Sequence, residues 1–274
     1  MGRILDTITA FKDSLTGSAF ETLAAASGDS LSIRWLGEGT KVSLLNAWGA
    51  NNATKCQLSI RSPLLHDNVR GIRMAHMFNP TLNVADGNPQ IYTSPYWRQP
   101  YQPTDTLIVE ALGTASDDVT LTQQLLYDTP DAGIGGRFML ASEVEARLKN
   151  VVGILITPSA HATTSTYGTA EAIDTDDNRL KANTDYAWLG IQTDLPFTTL
   201  AINGPDTGNF LVACPGHWDE QVTAGWFYEM SRRWQTPLVP IINSNNKGVT
   251  FARVADAGGG SSPNITLYLA ELSR

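Results

Sequence analysis

Residues 249–272, VTFARVADAGGGSSPNITLYLAEL, predict two strands joined by a chain reversal. Residues 256–263 between them hold three consecutive glycines, two serines and a proline, and this composition favours a turn over a helix. The same pattern stands earlier, in residues 106–127, TLIVEALGTASDDVTLTQQLLY. The outgoing strands begin VTL and ITL, with apolar and polar residues alternating. A hairpin that occurs twice indicates that a larger unit occurs twice.

Two matches upstream of the hairpins support a repeat. Residues 48–60, WGANNATKCQLSI, align without gaps with residues 202–214, INGPDTGNFLVAC, and residues 30–35 stand opposite residues 185–190. The first match places Trp48 opposite Ile202, 154 residues later, whereas the two hairpins are 143 to 146 residues apart. We therefore predict a tandem duplication, with two unrelated all-β halves as the alternative.

The composition describes a folded chain with a sparsely charged surface. The 274 residues suffice for one large or two ordinary domains, and 42% of them are hydrophobic while 17% are charged. The formal net charge of −8 argues against unspecific wrapping of nucleic acid, so no direct nucleic-acid binding is expected. There is no run of 18 apolar residues and no signal-peptide core, so we expect synthesis in the cytoplasm. Cys56 and Cys214 fall in different halves and are predicted to be buried thiols.

Short β runs divided by turns predict a mainly all-β chain of two tandem eight-stranded jelly-roll barrels with a few short helices. The predicted units are an N-terminal helical arm (1–28), a first jelly roll (29–130), a linker with a short helix (131–149) and a second jelly roll (150–274). The arm is predicted from an apolar stripe at helical spacing, formed by Ile4, Ile8, Phe11 and Leu15.

Further elements follow from local patterns. Ser142 and Glu145 form a capping-box pattern for the linker helix. The continuous apolar run at residues 151–157 predicts a strand buried on both faces. Apolar residues four apart predict a helix before Pro237, with Val222, Trp226, Met230 and Trp234 on one face. Strands of the first barrel are expected at residues 30–36, 41–48, 55–61 and 68–74, and those of the second at 185–193, 197–203, 209–214 and 238–242.

The sequence holds few candidates for chemistry. The four histidines are His66, His76, His161 and His217. No two of them are separated by the spacing that paired metal ligands have. The sequence has no G-x-S-x-G motif, no P-loop and no dinucleotide fingerprint. We therefore expect a protein without catalytic, cofactor-binding or metal-binding residues, and not an enzyme.

Two sets of residues keep alternatives open. The first set has the spacing of the first three ligands of a calcium-binding loop, and its members are Asp174, Asp176, Asn178 and Asp185. Because Arg179 stands where the turn of such a loop needs glycine, a solvated acidic loop is the alternative interpretation. The second lies in the long Pro-rich stretch at residues 77–104, which is typical of an interface. Its aromatic residues could instead stack on a sugar; they are Tyr92, Tyr96, Trp97 and Tyr101.

At the level of architecture, residues 28–274 resemble the double jelly-roll major capsid proteins of tailless icosahedral phages. The resemblance rests on three turn-rich strings, LKANTDY at 180–186, INGPDTGN at 202–209 and INSNNKG at 242–248. It implies homotrimers of pseudo-hexagonal outline that contact neighbouring capsomers, penton or minor capsid proteins and often an internal membrane. It further implies a structural role in the virion and no catalytic residues. Many members carry long tower insertions, whereas the longest candidate here is the stretch at 77–104.

Two other functions compete with a capsid subunit. A carbohydrate-binding or adhesin-like β-sandwich would use the aromatic residues of the Pro-rich stretch as a stacking platform. A jelly-roll enzyme acting on a polysaccharide or a small polar substrate is the third possibility, and the missing metal motif disfavours it.

Overall fold

The computed structural model describes residues 2–26, 29–51, 56–65, 68–75, 92–93, 98–131, 133–159, 167–174, 179–195, 197–216, 223–255 and 262–273. The protein is mostly β, which confirms the predicted class. The first half of the chain contains β1 (Gly2–Lys12), β2 (Glu21–Thr22), β3 (Ala24–Ala25), β4 (Lys41–Asn51), β5 (Gln57–Arg61), β6 (Ile72–Ala75), β7 (Tyr92–Thr93), β8 (Gln99–Tyr101), β9 (Ile108–Leu112) and β10 (Val119–Thr129).

The second half adds nine strands and two α-helices within the described residues. They are β11 (Phe138–Met139), α1 (Ala141–Arg147), β12 (Leu148–Ile156), β13 (Glu171–Ala172), β14 (Asp185–Thr193), β15 (Thr199–Asn203), β16 (Val212–Pro215), α2 (Trp226–Trp234), β17 (Val239–Asn243), β18 (Phe251–Ala255) and β19 (Ile265–Leu272). Short 3-10 helices occupy Pro205–Thr207 and Ser244–Val249. Among the described helices, none has the length and apolar character that a membrane crossing needs.

Each half folds as two antiparallel sheets. In the first half, a six-stranded sheet has the order β3-β1-β10-β4-β7, with β8 also paired to β4, and a four-stranded sheet has the order β2-β9-β5-β6. In the second half, a five-stranded sheet has the order β11-β17-β14-β19-β12, and a four-stranded sheet has the order β13-β18-β15-β16.

The two halves share one strand order. In each half, the last strand lies between the first long strand and the long middle strand. The order is β1-β10-β4 in the first half and β12-β19-β14 in the second. The smaller sheets also correspond, as β2-β9-β5-β6 and β13-β18-β15-β16. The spacing agrees as well, because β12 begins at Leu148, 146 residues after Gly2, and β19 begins at Ile265, 146 residues after Val119.

This order corrects part of the sequence alignment. The match between residues 106–127 and 249–272 was right, because the first contains β9 and β10 and the second their equivalents β18 and β19. The predicted hairpins are wrong, because β9 and β18 lie in the four-stranded sheets whereas β10 and β19 lie in the larger ones, so each turn carries the chain from one sheet to the other. The upstream match was one strand out of register, because residues 48–60 run from β4 into β5 whereas residues 202–214 run from β15 into β16. By strand order, β5 corresponds to β15, so the repeat offset stays near that of the two strand–turn–strand segments throughout.

The predicted N-terminal helix is wrong, because the start of the chain is an inner strand. β1 pairs with β10 along its whole length, from Gly2 opposite Thr129 to Lys12 opposite Val119, and β3 closes its other side at Ala10 and Phe11. A spacing of four residues puts Ile4 and Ile8 on one side of a strand as well as of a helix, since four is a multiple of the strand period of two. Both are buried in the core of the first half.

Three smaller expectations also differ from the structure. Residues 30–36 form no strand beyond a single bridge at Ser32. Helix α1 begins at Ala141, and the carboxylate of Glu143, not Glu145, accepts the N–H of Leu140. The run at 151–157 lies largely in β12, which is an edge strand and not one buried on both faces.

Helix α2 confirms the described part of the predicted helix, and Trp226 and Met230 are buried. The predicted domain boundaries stay predictions.

If β1 is part of the core, shortening its buried side chains must cost stability. We expect Leu5→Ala, at a fully buried position, to lower the free energy of unfolding by about 2–4 kcal/mol. Lys12→Ala in the same strand removes a partly exposed ion pair with Glu21 and should cost less than about 1 kcal/mol. Urea unfolding followed by tryptophan fluorescence measures both, and equal, negligible effects would restore the idea of a loosely attached arm.

Candidate functional site: the junction between the halves

The outward face of the six-stranded sheet carries many polar side chains beside apolar ones such as Leu5 and Leu126, yet it is buried. Side chains alternate across a strand, so Ile4 and Ile8 point into the core of the first half and Thr7 and Thr9 point away from it. On the neighbouring strands the same face carries Thr120, Thr122, Gln124, Asn46 and Trp48, all buried. The second half covers this surface, which we call the polar wall.

Hydrogen bonds from the polar wall run into the second half. The indole N–H of Trp48 donates to the carbonyl oxygen of Thr198 at 3.1 Å and lies 3.0 Å from the hydroxyl of Thr199. The hydroxyls of Thr122 and Thr199 are 2.7 Å apart. The side-chain amide of Gln124 donates to the carbonyl oxygen of Ala213 at 2.8 Å. The start of β15 and the middle of β16 are therefore tied to β4 and β10.

A second set of contacts comes from helix α2 and from Tyr167. The ring of Trp226 meets Trp48 edge to face, with 5.5 Å between the ring centroids. The amide of Asn46 donates to Gln124 at 3.0 Å and also contacts the sulfur of Met230. The hydroxyl of Tyr167 lies 2.8 Å from that of Thr9. Polar and aromatic contacts thus occur together across the wall.

Most polar groups of the wall find partners, and this explains why it tolerates burial. A buried polar group without a partner costs about 1–3 kcal/mol, whereas a paired one is close to neutral or favourable. Exceptions exist, since the hydroxyls of Thr7, Thr120 and Thr198 are buried without a hydrogen-bond partner among the described residues. The wall therefore holds the halves together through specific pairs and not through apolar area alone.

At one end of the junction lies a cluster of buried carboxylates. Asp6 is buried and lies 3.2 Å from the guanidinium of Arg34, which itself stacks over Phe210 of the second half. Asp29 accepts the backbone N–H of Thr9 at 2.7 Å. One carboxylate oxygen of each aspartate is buried without a hydrogen-bond partner in the part of the chain that the structure describes.

Burial perturbs this cluster. Desolvation raises the pKa of Asp6 to about 6, against the opposing effect of Arg34. Desolvation also raises the pKa of Asp29 to about 7, and the negative charge of Asp6 adds to the rise while Arg253 and Arg34 oppose it. The phenols that face the cluster, Tyr127 and Tyr167, have pKa values raised mainly by burial. The two carboxyls therefore gain and lose protons near neutral pH.

A separate polar cleft of about 430 Å³ lies in the second half, between the end of α1, β17 and the end of β19. Its charged groups are largely paired within the chain. Asp185 binds Arg137 and Asn243, and these hydrogen bonds, the one from Arg137 foremost, hold the pKa of Asp185 below its usual value. Glu271 binds Lys181 at 2.7 Å, and Arg147 donates to the carbonyl oxygen of Ser273. The cleft is thus a self-contained ion-pair network.

The candidates from the sequence do not meet at one site within the described residues. Asp174 pairs with Lys247 at 2.5 Å and Asp185 with Arg137, while Asp176 and Asn178 lie outside the described residues. All four histidines also lie outside them. Across the described ranges, no three His, Cys, Asp or Glu side chains group as metal ligands do.

The proposed sugar platform loses one member. Tyr101 is buried and its hydroxyl donates to Gln123, so its ring is not available for stacking. The side chains of Tyr92, Tyr96 and Trp97 lie outside the described residues. The prediction for the cysteines is confirmed, because Cys56 and Cys214 are both buried thiols that form no disulfide.

Sequence reasoning missed the polar wall because alternating threonine and glutamine resemble a solvent-facing strand. One signal was available. The outward positions of β10 carry Thr120, Thr122, Gln124 and Leu126, none of them charged. A strand face in water usually includes Lys, Glu or Arg, whereas uncharged polar residues alone are compatible with burial against a partner that supplies hydrogen bonds.

Comparison with known proteins gives no family. No family model matches the chain, and no curated protein matches it. Among solved structures, the PBSX exported protein XepA is 7% identical with a TM-score of 0.28, covering 98% of this chain and 86% of XepA. The T=1 Penaeus vannamei nodavirus structure is 12% identical with a TM-score of 0.23, covering both chains fully. These are weak structural similarities, too low to bear on function.

The hydrogen bonds of the wall can be tested by pairs of similar substitutions. Thr122→Val removes the hydroxyl shared with Thr199 and should lower the free energy of unfolding by about 1–2 kcal/mol. Thr120→Val, two residues away on the same face, removes a hydroxyl without a described partner and should be neutral or stabilising. Chemical denaturation measures both. A larger loss for Thr120→Val would contradict the assignment.

The carboxylate cluster predicts a pH dependence. The folded-state pKa values of Asp6 and Asp29, about 6 and 7, lie above the value of about 3.9 for an unfolded aspartate. The folded state then binds more protons than the unfolded state between these values, so their contribution to stability grows as the pH falls from 8 towards 5.

The matched test compares the pH dependence of stability in Asp29→Asn with that in Glu38→Gln, a substitution at an exposed position. The stability of Asp29→Asn relative to the unsubstituted protein should rise between pH 5 and pH 8, because only the aspartate becomes charged. Glu38→Gln should show no such change. Parallel pH profiles for all three proteins, from thermal unfolding, would refute the assignment.

Proposed function

We propose that this chain is a major capsid protein that forms trimeric, pseudo-hexagonal tiles of an icosahedral virus shell. The observation that carries the proposal is the strand order shared by the two halves, β1-β10-β4 with β2-β9-β5-β6 and β12-β19-β14 with β13-β18-β15-β16. This shared order of two antiparallel sheets supports a jelly roll in each half, a fold common in viral capsid domains and also found in lectins and cupins.

The junction supports the choice of a tile over two independent modules. Domains that move freely usually meet through small, wet contacts, whereas the polar wall is buried and bonded at Trp48, Thr122 and Gln124. A body of two similar domains held in a fixed orientation presents similar surfaces at regular angles. Three such bodies around a threefold axis give a closed ring of six similar domains.

The role that follows is structural. The proposed partners are copies of the same chain in the trimer and in neighbouring capsomers, with penton or minor capsid proteins and an internal membrane as further contacts. The proposed location is the virion. No catalytic residue and no cofactor is part of the proposal, and the net charge of −8 suits contact with protein better than with nucleic acid.

Self-association of the purified protein tests this function. Sedimentation velocity between 1 and 100 µM should show a trimer, and electron microscopy should show triangular or hexagonal particles or closed shells. A protein that remains a monomer throughout this range, while its circular dichroism spectrum is that of a folded β protein, would contradict the proposal. A glycan array gives a second readout, since saturable binding would favour the carbohydrate-binding alternative.

A further inference from the structure

The polar cleft of the second half contains two cations in addition to those of its ion pairs. Asp185 and Glu271, the carboxylates of its lining, are each paired with a cation from outside the lining. The lining also contains Arg147 and Lys149, and within the described residues neither of them forms an ion pair. The cleft therefore carries an excess of two positive charges in a chain of net charge −8, and such a local excess attracts anions.

Arg147 is held in a fixed orientation. Its Nε and Nη2 both donate to the carbonyl oxygen of Ser273, at 2.9 and 2.6 Å, and leave Nη1 without a hydrogen-bond partner in the described part of the chain. The hydrogen bond from Arg137 is the main cause of the lowered pKa of Asp185, and the charge of Arg147 adds to it, so this charge reaches the cleft. A cation that is already ordered loses little further conformational freedom when it binds an anion.

Lys149 owes its position to an irregularity in β12. Leu148 lies opposite Leu272 and Asn150 lies opposite Glu271, so Lys149 between them has no counterpart on β19. An extra residue of this kind is a β-bulge, which bends the strand and redirects side chains, and bulges are common beside functional sites. The bulge brings an exposed ammonium group into the lining of the cleft.

Asn183 adds a neutral donor to the same lining. Its backbone has a φ of 51°, in the left-handed region, and its N–H donates to Oδ1 of Asn245 at 3.1 Å. Oδ1 of Asn183 accepts in turn from Nδ2 of Asn245 at 3.3 Å, which orients the amide and leaves Nδ2 of Asn183 without a partner among the described residues. Three donors, two of them charged, are thus unused in one cleft.

We propose that this cleft binds a small dianion of the phosphate type, with Lys149 and Arg147 neutralising its charge and Asn183 donating to one of its oxygens. Two unpaired cations match the charge of a phosphate monoester, which is about −1.5 to −2 at pH 7. Phosphate oxygens form strong charge-assisted hydrogen bonds with guanidinium and ammonium groups. The inference goes beyond the proposed function and does not rest on it.

The size and lining of the cleft restrict the ligand further. Its volume of about 430 Å³ lies within the range of about 300–1,000 Å³ that is usual for small-molecule sites, and it exceeds what a bare phosphate ion fills. Thr184, Asn243 and Ser273 make the remaining lining mostly polar. The ligand class is therefore a phosphate monoester of a small polar molecule.

The binding test uses glycerol phosphate as the probe and acetate as a monovalent comparison, at about pH 7.5 and constant ionic strength. Isothermal titration calorimetry should show glycerol phosphate bound at least about 10-fold more tightly than acetate, because a further hydrogen bond between charged groups is worth about that factor. Equal affinity for the two anions, or no binding of glycerol phosphate at about 10 mM, would overturn the inference.

Lys149→Gln, with Lys41→Gln as the matched control, locates the site. Lys149→Gln removes one of the two charges at an exposed position and should weaken binding of glycerol phosphate by about 10-fold or more. Lys41→Gln removes the same charge at an exposed position of β4, in the first half, and should leave the affinity unchanged. An equal weakening in both variants would mean that the anion responds only to net charge, and undiminished binding in Lys149→Gln would exclude Lys149; either result contradicts the inference.

Asn183→Gly tests the neutral donor. Glycine adopts a positive φ readily, so this substitution removes the side-chain amide without straining the backbone. The affinity for glycerol phosphate should fall by about 2- to 10-fold, as expected for one hydrogen bond between a neutral donor and a charged acceptor. Undiminished affinity in an Asn183→Gly protein that is folded by circular dichroism would contradict the proposed set of donors.

Discussion

The structure depends on one constraint: the outward face of the six-stranded sheet must be buried while remaining hydrogen-bonded. The threonine, glutamine and asparagine side chains of this face can lie against another domain only if that domain supplies donors and acceptors at matching positions. The second half does so through the carbonyl oxygens of Thr198 and Ala213 and the hydroxyl of Thr199. Because such pairs are directional, they fix the orientation of the halves more narrowly than apolar packing would. The junction is therefore the feature that turns two similar sandwiches into one building unit.

The same constraint would serve the proposed tile, because a specific junction holds two halves of the same strand order in one orientation. The carboxylate cluster at the end of the junction adds sensitivity to pH, since Asp6 and Asp29 are both buried near one another between the halves. Stability of the unit and orientation of its domains are thus properties of one interface.

The sequence predicted the class of fold and the repeat, but not the start of the repeat. The two strand–turn–strand segments were recognisable because period-two strands flank a glycine-rich or acidic turn, a local signal that needs no tertiary context. That their strands pair with each other was wrong, since each turn leads from one sheet to the other and only the whole fold decides the pairing. β1 was misread because Ile4 and Ile8 fit both periodicities, and only the pairing with β10 decides between them. β12 was misread for the opposite reason, since its apolar run is typical of a central strand, whereas among the described strands it pairs with β19 alone. The polar wall could not be predicted, because whether a threonine face meets water or protein is decided by the other half.

The central claim is that the two halves form one cooperative body through the polar wall. Differential scanning calorimetry of the dilute, unassociated protein tests this most directly, by comparing the calorimetric enthalpy of unfolding with the van't Hoff enthalpy of the same transition. We predict a single transition with equal enthalpies. Two resolved transitions, or a calorimetric enthalpy about twice the van't Hoff value, would mean that the halves unfold independently and that the junction does not hold them as one unit.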